Sequence, residues 1–148
     1  IDRGLVGSEM CIRDSGCPSN AIITPHPGEA AMLLDCSVEE LQKNRLEAAK
    51  ELYKRYNCLI ILKGYQTIVF DGEAYQCTDG GPALSTAGTG DVLAGLIGSF
   101  LAQGLSKMDA ARFSVAIHGA AGDKFSNNKG LRGLTATKLI KIINEEML

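Results

Sequence analysis

Ser85-Thr86-Ala87-Gly88-Thr89-Gly90-Asp91-Val92-Leu93-Ala94-Gly95 is the stretch on which the reading of this chain turns. Small residues and glycines lead without a break into an apolar helical pattern. A helix N-terminus leaves backbone N–H groups free, and the helix dipole adds partial positive charge, so together they attract an anion. Glycine lets a phosphate come close to the main chain. The stretch therefore reads as an anion site at the head of a helix. Asp91 stands in the first turn of that helix. A carboxylate is a poor phosphate ligand because like charges repel, so it reads as a base or polar clamp beside the phosphate. An aspartate there also complements the helix dipole. Taken alone, the pattern does not separate the two roles.

On either side of this turn, strands and helices alternate, which points to an α/β protein. Ala21-Ile22-Ile23 is a short apolar run that stops at Thr24-Pro25, since proline cannot donate to a ladder. A short helix is expected around Glu29 to Leu34. Ser37 heads a capping box with Glu40, and the helix behind it sets Leu41, Ala48, Leu52, Tyr53 and Tyr56 on one face. Cys58-Leu59-Ile60-Ile61-Leu62 reads as a strand covered on both faces. Asp71-Gly72, flanked by Thr67 to Phe70 and Ala74 to Cys77, signals a hairpin. Val92 to Leu101 is apolar nearly all round and predicts a buried helix that Gly104 stops. Ser106 with Asp109 caps the next helix, expected to end near Phe125, before a polar loop from Ser126 to Gly133. Thr135 opens a last helix whose inner face holds Leu139, Ile142, Ile143 and Met147.

Composition excludes several classes. A chain of 148 residues has room for one ordinary domain. Fifteen basic against 17 acidic residues give a net charge of −2 with no basic stripe, which argues against nucleic-acid or polybasic membrane partners. No apolar run approaches the roughly 20 residues of a membrane span. Seven of the 17 glycines cluster between Gly80 and Gly104, and none of them repeats with a period, so collagen and solenoid repeats are excluded. Cys11, Cys17, Cys36, Cys58 and Cys77 show no metal-type spacing, and only His26 and His118 could join them. Reduced thiols of a cytoplasmic protein are the expectation, with Cys58 a small core residue.

Two further segments carry chemistry. Thr24-Pro25-His26-Pro27-Gly28-Glu29 follows an apolar strand, at the edge where open α/β sheets bind ligands. Its prolines fix a loop that presents His26 and Glu29, although a lone loop histidine is as often merely solvated. Leu62-Lys63-Gly64-Tyr65-Gln66-Thr67 leaves the most buried strand. Lys63 there either meets a nucleotide phosphate or snorkels out of a strand end. His118, beside Gly119, Ala120 and Ala121, is expected to be a packed or hydrogen-bonded core residue.

The succession Thr-Pro-His-Pro-Gly-Glu, Leu-Lys-Gly, Ala-Gly-Thr-Gly-Asp-Val-Leu-Ala-Gly and Ile-His-Gly-Ala-Ala-Gly-Asp resembles the ribokinase-like superfamily, and within it the ADP/ATP-dependent NAD(P)H-hydrate dehydratases. The resemblance runs from about Ala21 to the C-terminus. It implies a mostly parallel sheet flanked by helices, with the N-terminal half of the fold missing. It implies nucleotide-dependent dehydration of the S-epimer of hydrated NADH or NADPH, by phosphorylation and loss of phosphate. Asp91 would take the proton of the ring hydroxyl and contact the substrate. His26 would touch the same substrate. Lys63, Gly64, Tyr65, Gln66, Thr67 and Gly90 would bind ADP or ATP with Mg2+, ADP being the expectation. Ala87 to Gly90 would form the anion hole. A homo-oligomer is expected, and the resemblance leaves open whether an epimerase domain is fused upstream.

Two departures stand against the family pattern. Gly81 occupies a place where asparagine is usual, and family members are nearly twice this length. A truncated parallel sheet would expose an unpaired edge, so poor solubility or inactivity is expected of the isolated chain. A small-molecule kinase acting on a hydroxymethyl group and an inactive nucleotide-binding remnant are the alternatives. Residues 1–20 read apart from the rest: Gly4 to Ser15 resembles translated linker sequence, so a non-native leader is expected there, with the domain spanning residues 21–148.

Overall fold

Leu59, Ile60, Ile61 and Leu62 are each fully buried, as an unbroken branched apolar run requires when both faces of a strand are covered. They form β2 (Leu59–Leu62) in a computed structural model that describes residues 17–147. The leader expected at residues 1–20 falls largely outside the described residues, as does Cys11. The chain divides into two compact units. One holds the described residues up to Lys63 together with Ile68–Ala74, and the other holds Gly64–Thr67 and the chain from Tyr75 onward.

In the first unit, β1 (Ile22–Ile23) lies parallel to β2, with Ile22 opposite Leu59 and Ile23 opposite Ile60. Three helices separate them: α1 (Pro27–Leu34), α2 (Val38–Lys43) and α3 (Arg45–Tyr56). Cys58, Ile60 and Leu62 join Leu33, Leu41 and Leu52 in the core beneath these helices. Cys58 is the small core residue expected of it. The predicted inner face holds for Leu41, Ala48, Leu52 and Tyr56, all buried. Tyr53 is half-buried and meets Phe70 edge-on, with ring centroids 5.3 Å apart. The single helix expected here is two, because Asn44 leaves helical geometry (φ −147°, ψ 74°) and caps α3 with its own side chain.

The expected mostly parallel sheet is corrected. Four strands run in the order β1-β2-β3-β4, with β3 (Ile68–Phe70) antiparallel to β2 and β4 (Ala74–Gln76) beyond it. The physical reason is connection length: a parallel neighbour needs a crossover of a dozen residues or more, and only residues 63–67 join β2 to β3. Asp71-Gly72 turns the chain as predicted, although the turn extends through Glu73 and only Gly72 takes positive φ (89°).

The second unit is helical. A 3-10 turn (Pro82–Leu84) precedes α4 (Thr89–Ala102), α5 (Lys107–Lys129) and α6 (Ala136–Ile142), which ends in a π-helical turn (Ile143–Met147). Ala83, Ala121, Phe125, Leu134, Leu139 and Ile143 form its core; the side chain of Met147 lies outside the described ones. The helix expected to be buried all round is corrected: α4 buries only Thr89, Leu93 and Ile97, while Ala94, Gly95, Gly98 and Leu101 are exposed. One stripe at four-residue steps faces the neighbouring helices, and the small outer residues carry too little apolar surface to force burial. α5 also runs on to Lys129, through part of the expected loop, and stops at Gly130 (φ 81°).

The capping box is as predicted. Glu40 N donates to Ser37 Oγ at 3.1 Å, and Ser37 N donates to Glu40 Oε2 at 2.9 Å. The Ser37 amide, then its hydroxyl, holds the Glu40 carboxyl below its ordinary value of 4.5. A folded value below the unfolded one means that this stabilisation is complete above the ordinary value and is lost as pH falls through the folded one. Ser37→Ala is expected to cost about 1 kcal/mol and to reduce the acid-side loss. Urea midpoints at neutral and acidic pH check both.

Candidate functional site

In the first unit, His26 caps α1 in place of the usual serine or aspartate. Gly28 N and Glu29 N donate to its Nδ1 at 3.1 and 3.2 Å, and His26 N donates to Glu29 Oε2 at 2.6 Å. An accepting Nδ1 leaves the proton on Nε2, which lies 3.3 Å from Glu29 Oε1 on a half-exposed ring. Lys63 is brought beside this loop: its N–H donates to Pro25 O at 2.9 Å. The sequence missed Arg45 altogether. Its Nη2 donates to Leu62 O (3.0 Å) and Lys63 O (3.1 Å), at the point where β2 ends.

In the second unit, Gly64, Tyr65, Gln66 and Thr67 form a tight turn, with Gly64 (φ 128°) and Gln66 (φ 54°) both left-handed. Thr67 Oγ1 donates to Gly64 O (3.0 Å), Gln76 Nε2 donates to Gln66 Oε1 (2.8 Å), and Cys77 N donates to Thr67 O (2.9 Å). These bonds leave Tyr65 out on the surface, 75% exposed. Cys77 is buried, and burial pushes its thiol up from the ordinary value of 9.0, so it stays protonated and is no nucleophile.

The glycine turn of the same unit has the geometry of an open helix head. Gly88 takes φ 87° and serves as N-cap of α4 with no side-chain cap, whereas the other five α-helices among the described residues are capped by His26, Ser37, Asn44, Ser106 and Thr135. Val92 N makes the first bond back, to Gly88 O at 3.2 Å. The amides of Gly90 and Asp91 precede any intrahelical acceptor. The Thr89 amide turns instead toward Thr86 O (3.3 Å), while its buried hydroxyl contacts Leu84 O (2.6 Å) and Thr86 O (2.8 Å). Ala87 and Asp91 are exposed. Thus Ala87, Gly88, Thr89, Gly90 and Asp91 are brought together, and the turn is fastened from beneath.

That fastening was only partly legible. His118 is hydrogen-bonded, as expected, and its Nε2 donates to Thr89 O at 2.8 Å, tying α5 to the first turn of α4. Asp123 Oδ2 accepts from Gly80 N at 2.9 Å and holds the segment leading into the turn. Gly81, where the family pattern has asparagine, faces Asp123. A hollow of about 400 Å³ is lined by Asp79, Ala120, Asp123, Lys124, Asn127 and Asn128. No residue of the glycine turn lines it, so the open helix head is the better site on chemical grounds. Among the described residues, no three His, Cys, Asp or Glu side chains cluster to hold a metal. Magnesium commonly sits on substrate phosphates with only one or two protein carboxylates, so an ion that arrives with a nucleotide does not require such a cluster. No helix among the described residues is long and apolar enough to cross a membrane.

Comparison with known proteins identifies the family. The family model Carb_kinase, described as NAD(P)H-hydrate dehydratase, matches residues 10–145, beginning inside the stretch read as a leader. The chain is 46% identical over 134 residues to the bifunctional NAD(P)H-hydrate repair enzyme Nnr of Escherichia coli (strain K12), covering 86% of this chain and 26% of that protein. It is 42% identical over 127 residues to the ADP-dependent (S)-NAD(P)H-hydrate dehydratase of Neisseria meningitidis serogroup B, covering 84% of this chain and 43% of that one. A structure of the ADP/ATP-dependent NAD(P)H-hydrate dehydratase of Bacillus subtilis, co-crystallized with ATP/Mg2+, superposes with a TM-score of 0.80 at 35% identity. That match covers 84% of this chain and 46% of the other. The chain thus spans about a quarter of the bifunctional relative and under half of the other two. With the family pattern matched along most of its length and the partial ribokinase-like α/β fold beneath it, the chain belongs to the NAD(P)H-hydrate dehydratase family.

Proposed function

We propose that this chain supplies the phosphoryl-holding and proton-abstracting part of an enzyme that dehydrates the S-epimer of hydrated NADH or NADPH at the expense of ADP or ATP. The observation that carries the reading is the glycine-capped head of α4, with Asp91 exposed in its first turn. Asp91 takes the proton from the ring hydroxyl as its oxygen attacks the terminal phosphorus of the nucleotide, and ADP is released as AMP, or ATP as ADP. The main-chain amides of Ala87, Gly88 and Gly90 stabilise the charge on the transferred phosphoryl group, while the Thr89 amide, expected to join them, is turned to Thr86 O and fastens the turn. Hydroxide leaves poorly and phosphate leaves well. The ring nitrogen's lone pair then assists as the C–O bond breaks, phosphate departs with the bonding pair, and loss of a neighbouring ring proton closes the double bond.

His26 is read as a contact to the same substrate through Nε2, its other nitrogen being committed to the helix cap. Lys63 meets the nucleotide phosphates, and Gly64 to Thr67 hold the nucleotide, with the exposed Tyr65 ring free to lie on the base. Mg2+ arriving with the nucleotide would neutralise phosphate charge. The full-length protein is read as a cytoplasmic homo-oligomer, with an epimerase domain as its fused partner.

Product analysis on the full-length protein tests the reading. Reduced nicotinamide, seen by its near-ultraviolet absorbance and formed only when ADP or ATP is present, is the expected product. A stable phosphate ester would establish the kinase alternative. Thermal stabilisation by nucleotide without turnover would leave only a nucleotide-binding remnant. Lys63→Ala is expected to weaken nucleotide about tenfold, the loss of a charged hydrogen bond, and to change substrate KM less. Steady-state titration of each ligand checks this, and the reverse order would undo the assignment of Lys63.

A further inference from the structure

Arg45 is a half-buried cation whose partners are neutral oxygens. Nη2 bridges the carbonyls of Leu62 (3.0 Å) and Lys63 (3.1 Å), and Nη1 donates to Gln42 Oε1 at 2.9 Å. Its Nε is buried without a partner. Burial pushes the guanidinium down from its ordinary value, the mark of a charge held where solvation is poor. A buried cation that gains no carboxylate is a poor device for stability. It is a good device for geometry, because a planar fork fixes two consecutive carbonyls that a lysine ammonium would hold only as a point charge. The peptide groups of Lys63 are thereby tied on both sides, the N–H to Pro25 O and the C=O to Arg45.

We propose that Arg45 is a positioning residue for Lys63: by clamping the end of β2 it sets the direction in which Lys63 leaves the strand and meets the nucleotide phosphate. This inference rests on the reading of Lys63 as the phosphate contact. A double-mutant cycle in the full-length protein, with ADP affinity read by calorimetry, tests it. Arg45→Gln is expected to weaken ADP about tenfold at unchanged substrate KM, with Arg45→Lys restoring part of the loss. In a Lys63→Ala background the same Arg45→Gln change is expected to have almost no further effect. General destabilisation would not produce that non-additivity.

A full additional loss in the Lys63→Ala background, or no loss in the single variant, would overturn the proposal. Lys63→Ala alone leaving ADP affinity unchanged would instead remove the phosphate reading of Lys63, and the role of Arg45 would fall with it. Should Arg45→Gln not fold, the exposed Gln42 offers the second variant. Gln42→Ala frees Nη1 and is expected to weaken ADP about twofold, again only when Lys63 is present; no change in either background would overturn the proposal.

Discussion

Asp91→Asn is expected to lower turnover on the order of 10²–10⁴-fold, the usual contribution of a positioned general base, while nucleotide still binds. Asparagine keeps the shape of the side chain and removes its ability to take a proton. The residue is exposed in the first turn of α4, so the change leaves no buried group unpaired and the fold is not at risk. Two small effects on binding oppose each other. Loss of a negative charge beside the helix head favours an anionic ligand, whereas loss of a dipole-complementing carboxylate weakens the first turn by roughly 0.3–1 kcal/mol. Nucleotide affinity is therefore expected to shift little while kcat collapses. Single-turnover measurement with saturating nucleotide separates the two quantities, and near-normal rates would remove the assigned base.

Gly119→Ala is expected to destabilise the second unit by about 1–3 kcal/mol, the range for overpacking a close contact. The sign is unusual, since replacing a mid-helix glycine with alanine ordinarily gains up to about 1 kcal/mol. Here a Cβ on Gly119 would stand 2.7 Å from the backbone oxygen of Asp79 and 2.9 Å from its carbonyl carbon. Backbone cannot swing aside as a side-chain tip can. The segment it would push is the one that Asp123 holds through Gly80 and that runs on to Leu84, the carbonyl gripped by Thr89. Displacement there is expected to loosen the glycine turn, so nucleotide affinity should fall along with stability. Gly98, with open space around the same position, provides the contrast: Gly98→Ala should raise the urea midpoint. Equal midpoints for the two variants would contradict the close packing of α5 on this segment.

Much of the fold was legible where local chemistry decides it. Ser37 with Glu40, Ser106 with Asp109, and Thr135 announce their helices because each side chain satisfies an amide that the helix itself cannot. The buried run at β2 and the turn at Asp71-Gly72 are equally local. What escaped depends on partners distant in sequence. The break at Asn44 hides within a continuous apolar period. The antiparallel β3 follows from a connection too short to cross over. His26 as a helix cap lies outside the usual set of capping residues. Arg45 carries no signal at all in sequence, because a lone arginine on a polar helix looks solvated; its acceptors lie 17 and 18 residues on. The glycine turn was legible as the head of a helix, since small residues and glycines run straight into its apolar pattern. The ties that fasten it, from His118 and Asp123, arise only when α5 packs beneath.

The most direct measurement follows one oxygen atom. Hydrated NADH prepared in ¹⁸O-water carries the label in its ring hydroxyl, and the full-length protein with unlabelled ADP or ATP should release inorganic phosphate bearing that ¹⁸O. The hydroxyl oxygen then travels with the phosphoryl group held at the head of α4. Unlabelled phosphate, with the ¹⁸O recovered in water, would mean that the hydroxyl was never phosphorylated, and the assigned chemistry of the glycine turn and Asp91 would be wrong.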